Sequence, residues 1–175
     1  MVQHHPPIEI LTEYAAGTLP VAQSACVAAH LSYCQRCRQI VDRLEDIGGS
    51  QLEQLDPQPV GESVLERVMA RLDDPEPLRY APSEASETQL PGLLDRLING
   101  DYADLVWKRV TQSLSISYLK AGDPNHEFAL YRIAEGGRIP EHTHGGSEMT
   151  LVLRGGFADE SGEYHQGDFL VREGW

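Results

Sequence analysis

The chain has 175 residues, 41% of them hydrophobic, and carries a formal net charge of −13. That length allows one or two domains with cores of their own, and no apolar run reaches the roughly 18–20 residues needed to cross a membrane. The charge is −5 over residues 1–73, −3 over 74–91 and −5 over 92–175; acidity spread this evenly argues against direct nucleic-acid binding, where attraction to phosphate dominates affinity, and suits a basic protein partner.

The opening MVQHHPPIEI lacks the basic-then-apolar pattern of a signal peptide, so a cytoplasmic location with reduced thiols is expected. Residues 1–73 read as helical. Ile8, Leu11, Tyr14, Ala15 and Leu19 recur at three-to-four spacing. Pro20 suits the start of a second helix through Val21, Ala25 and Ala28 to Leu31. A third follows Cys34, with Cys37, Ile40, Val41, Leu44 and Ile47 on one stripe and Gly48-Gly49 expected to stop it. Beyond Pro57 and Pro59, a fourth carries Val64, Leu65, Val68, Met69 and Leu72. Its stripe exceeds what so small a core can cover.

Residues 74–91 hold Pro75, Pro77, Pro82 and Pro91 among Ser, Glu and Ala, the composition of a linker. Residues 92–175 then turn to β signals. Val106-Trp107 and residues 113–119, 126–133 and 149–153 read as strands, with Phe157 and Tyr164 near Gly-rich turns. The expectation is an α+β chain: a small four-helix domain, a linker, and an antiparallel sandwich or barrel.

Two constellations carry metal chemistry. The first is His30-x3-Cys34-x2-Cys37. Offsets of four and seven put the three side chains on one face of helical or near-helical backbone, and zinc takes thiolate and imidazole in a tetrahedron. A redox pair would instead follow a strand in a βαβ setting, and none precedes it. The fourth ligand is open between His4, His5 and Cys26; the last, four residues before His30, also fits a small buried hydrophobe. The second constellation is Gly136-x5-His142-x-His144-x3-Glu148-x6-Gly155. His142, His144 and Glu148 share parity, hence one face of an extended strand, and two imidazoles with a carboxylate suit zinc or another divalent metal.

The helical half resembles the zinc-binding anti-sigma domain. LTEYAAGTLP before the first motif and DRLEDIGGS after it resemble the ChrR-type branch. The resemblance implies that the fourth ligand is His5, from its position relative to YAAGTL. A zinc so fully ligated would be mainly structural, with no open position for substrate, and the resemblance implies an extracytoplasmic-function sigma factor held by the helices, including that around Val64 to Leu72. The second constellation matches the first cupin motif, so residues 92–175 resemble a cupin-like domain. A second cupin motif opens at Gly162-Glu-Tyr-His-Gln-Gly167-Asp168. The chain stops at Trp175 before it completes, and His165 is odd in parity for a ligand. The barrel is therefore expected to be incomplete, with an unpaired edge open to self-association. The resemblance implies release of the sigma factor on a singlet-oxygen or peroxide-like signal. A non-haem dioxygenase or isomerase is the alternative, but no nucleophile elbow or phosphate loop supports an enzyme.

Overall fold

Pro7, extended at φ −57° and ψ 156°, sets the entry to the first helix, α1 (Ile8–Ala15). Just past its end at Ala15, Gly17 turns the chain at φ +69°, a conformation that a residue without a Cβ adopts freely. Pro20 plays the same entry role for α2 (Val21–Tyr33). Cys34 then leaves helical backbone at φ −115° and ψ 100°, and α3 (Gln35–Leu52) starts from it. The structure is a computed structural model that describes residues 2–61, 63–72, 94, 98, 102–120, 125–137 and 145–172. None of its helices is long and apolar enough to cross a membrane.

One sequence expectation for the helices is corrected. Gly48-Gly49 does not stop α3, which runs on to Leu52. Neither glycine takes a positive φ, and glycine inside a helix costs only about 1 kcal/mol relative to alanine. Among the described residues the four helices do not share one core, in keeping with the surplus stripe of the fourth. Leu11, Leu19, Val27 and Val41 bring α1, α2 and α3 together. α4 (Ser63–Arg71) buries none of its residues: Leu65, Val68 and Met69, with Leu72 directly after it, are 69%, 53%, 56% and 67% exposed.

The second half is antiparallel. β1 (Lys108–Arg109), β2 (Leu114–Tyr118) and β3 (Ala129–Ile133) form one sheet, in that order. β4 (Glu148–Leu151) pairs with β7 (Phe169–Arg172), and β5 (Gly156–Asp159) pairs with β6 (Gly162–His165) as a hairpin. The strand expected at Val106-Trp107 begins at Lys108, and Val106 is exposed. Phe157 and Tyr164 lie on the hairpin strands themselves, register partners whose rings are 5.0 Å apart. With Val152 and Leu170 they form a small second core.

The two halves are not merely strung together. Phe169 of β7 is 2% exposed and belongs to the helical core, with Met149 and Leu151 of β4 packed against it. Tyr33 at the end of α2 donates its hydroxyl to the Leu153 carbonyl at 3.1 Å. The expected linker, residues 74–91, lies outside the described residues.

Candidate metal centre

The break at Cys34 builds the site. His30 lies in the last turn of α2, Cys34 closes α2 and caps α3, and Cys37 sits in the first turn of α3. The ligand face is thus a corner between two helices rather than one continuous helix. Cys34 Sγ accepts the Cys37 backbone N–H at 3.4 Å, which aims both sulfurs to the same side. A helix N-terminus at Cys37 also favours the thiolate form that a metal requires.

His5 arrives from the extended segment before α1. Its Nδ1 lies 3.3 Å from Cys34 Sγ and 3.5 Å from Cys37 Sγ, and its ring meets that of His30 edge-on at 5.8 Å. One nitrogen or sulfur from each of His5, His30, Cys34 and Cys37 falls within 4.8 Å of the others. Cys26 is not in this group. Burial in apolar surroundings pushes its thiol up to about 12, as for an inert core cysteine.

Protonation fits a metal. His30 Nδ1 lies 2.8 Å from the Gly167 carbonyl. A carbonyl can only accept, so Nδ1 carries the hydrogen and Nε2 keeps its lone pair. Nε2 is fully buried and has no hydrogen-bond partner among protein atoms, a costly arrangement unless something else is bound there. Burial lowers the pKa of His30, partly offset by the Gly167 bond, and burial with the nearby Arg36 charge lowers that of His5. Both imidazoles are therefore neutral at pH 7. The Cys37 thiol is pushed up to about 12 by burial and by Cys34 beside it; a divalent cation would reverse that shift. Two imidazoles and two thiols at tetrahedral scale suit zinc.

The second constellation is only partly visible. His142 and His144 lie outside the described residues. Glu148 opens β4, half-buried and in register with Arg172. His165 ends β6 and is exposed.

The sequence reading missed Asp168. It is wholly buried and its carboxylate accepts three backbone N–H groups: Gln3 at 2.7 Å, His4 at 3.0 Å and His165 at 2.8 Å. Burial opposes its ionisation, but these bonds prevail and hold it below the usual carboxylate range. The only signal was an acidic side chain directly after a turn glycine.

A helical unit bearing a two-His, two-Cys cluster, docked on an antiparallel β unit, defines a two-part α+β protein with a candidate metal centre at its helix corner. The chain belongs to the ChrR family of anti-sigma factors. It is 35% identical over 172 residues to the Anti-sigma-E factor ChrR of Cereibacter sphaeroides, spanning 98% of this chain and 80% of that protein. Residues 96–174 match the family described as the ChrR Cupin-like domain. Among solved structures, the crystal structure of Rhodobacter sphaeroides SigE in complex with the anti-sigma ChrR matches at TM-score 0.82 and 34% identity. That match covers 99% of this chain and 88% of the solved one.

Proposed function

We propose that this protein is an anti-sigma factor, a regulator rather than an enzyme, that binds and silences an extracytoplasmic-function sigma factor. The near full-length likeness to ChrR carries this reading. The bare apolar stripe of α4 supports it, because Leu65, Val68, Met69 and Leu72 have nothing in the described chain to cover them. In this reading residues 1–73 are the zinc-binding anti-sigma domain, residues 74–91 the linker and residues 92–175 the cupin-like sensor of an oxidative signal. His5, His30, Cys34 and Cys37 would hold zinc, which supplies a cross-link tying the segment before α1 to the corner between α2 and α3. His142, His144 and Glu148 would take zinc or another divalent metal in the sensor. The protein acts in the cytoplasm, on a protein partner and not on DNA.

The test is transcription. Full-length protein, added to RNA polymerase charged with an extracytoplasmic-function sigma factor of the same organism, should abolish initiation at that factor's promoters. Absence of both inhibition and a co-purifying sigma factor would refute the proposal.

A further inference from the structure

The four zinc-site side chains are not held by one unit. Cys34 and Cys37 are positioned by their own helix corner, through the Cys37 N–H on Cys34 Sγ. The two histidines are positioned by the turn between β6 and β7, in the opposite half of the chain. Gly167 offers its carbonyl to His30 Nδ1 at 2.8 Å. Asp168 binds the N–H groups of Gln3 and His4 through one oxygen, and the Phe169 N–H returns a bond to the His4 carbonyl at 3.0 Å. The segment is thus gripped up to the residue before His5. The ring of Phe169 then packs edge-on against that of His30 at 5.6 Å.

The turn is itself braced. Asp168 spends its other oxygen on the His165 N–H, and the Gly167 N–H reaches the Val152 carbonyl at 2.8 Å. Gly167 adopts φ +90°, and a Cβ there would stand 2.7 Å from Val2 Cγ2 and 2.9 Å from Tyr33 Cβ. The N-terminal segment and α2 therefore lie directly against the backbone of the turn.

Partners that orient metal-binding histidines through their second nitrogen or their backbone govern how firmly a metal is held. We infer that Asp168 is a positioning residue of the zinc site, and that the β6–β7 turn, residues 165–169, lets the cupin-like unit set metal retention in the anti-sigma unit. The coupling is reciprocal: displacement of the turn frees both imidazoles, and loss of metal loosens the docking of the turn. This rests on the assignment of His5, His30, Cys34 and Cys37 as a metal site. It gives an event in the sensor a direct route to the sigma-binding helices.

The experiment uses full-length protein loaded with cobalt(II). Its thiolate charge-transfer band reports only this site, because Cys34 and Cys37 are its thiols and Cys26 stands apart. Transfer of cobalt to an excess of chelator is timed at fixed pH for wild type, Asp168→Ala, Asp168→Asn, Gly167→Ala and the surface control Glu163→Gln, with helix content checked by circular dichroism. Asp168→Ala and Gly167→Ala should release cobalt about 10–100-fold faster. Asp168→Asn, which keeps an acceptor but loses the charge, should lie between them and wild type, and Glu163→Gln should match wild type. Should Asp168→Ala fail to fold, Asp168→Asn decides. Wild-type release rates in the folded Asp168 variants would overturn the inference. Absence of the thiolate band in wild type would instead refute the metal site itself.

Discussion

Replacing Phe169 with alanine removes a strand side chain whose burial is supplied by helices. Phe169 is 2% exposed, among Leu11, Leu19, Val27, Val41 and the two site cysteines. An aromatic side chain buries about 150–250 Å², worth about 4–6 kcal/mol at about 25 cal/mol per Å². Alanine keeps the Cβ, so the loss falls in the range of about 3–5 kcal/mol usual for such truncations. At about 2–4 °C per kcal/mol for a chain of this size, melting should drop by about 6–20 °C. The assay is helical circular dichroism on the metal-loaded full chain, which reads α1, α2 and α3 while the substitution sits in β7. If the helices melt at the wild-type temperature, the shared core does not exist in solution and the argument from docking fails.

Three further outcomes are expected. His5→Ala should abolish the cobalt–thiolate spectrum of a four-ligand site, whereas Cys26→Ala should leave it unchanged; a reversed result would restore Cys26 as the ligand. Met69→Glu on α4, a residue 56% exposed, should change stability by less than about 0.5 kcal/mol yet abolish sigma-factor binding in a pull-down. Metal affinity should rise with pH. Cys37, at about 12 without metal, must give up its proton on binding, whereas the lowered histidines are already neutral. Each proton displaced raises the apparent affinity by about tenfold per pH unit through the range from pH 6.5 to 8. Competition titrations with a chelator of known pH dependence would expose a flat profile and refute this.

The parts legible in the sequence were those encoded locally. Helical spacing placed α1, α2 and α4, and the offsets of His30, Cys34 and Cys37 marked a candidate metal cluster before any fold was known. His5 needed the family resemblance, because 25 residues separate it from His30 and periodicity does not reach across such a gap. The Gly48-Gly49 stop failed because glycine ends a helix only where a left-handed turn follows, and the backbone here stays right-handed. β7 was unread because four residues after a turn carry too little pattern to separate strand from loop. The grip of Asp168 on Gln3 and His4 had no local signal at all. Its partners are backbone groups, which every residue offers, and they lie in the opposite half of the chain.

That grip spans a sequence separation of 164 residues between Asp168 and His4, which matters during synthesis. A ribosome adding about 5–20 residues per second needs roughly 10–30 s to cover that distance. Once residue 37 has been added, the nascent helices carry both site cysteines and both histidines, but nothing yet orients the imidazoles. The thiols would capture metal first, and the histidines would close around it only when the β6–β7 turn emerges. The newborn regulator is therefore an unfinished clamp until the β6–β7 turn has been made.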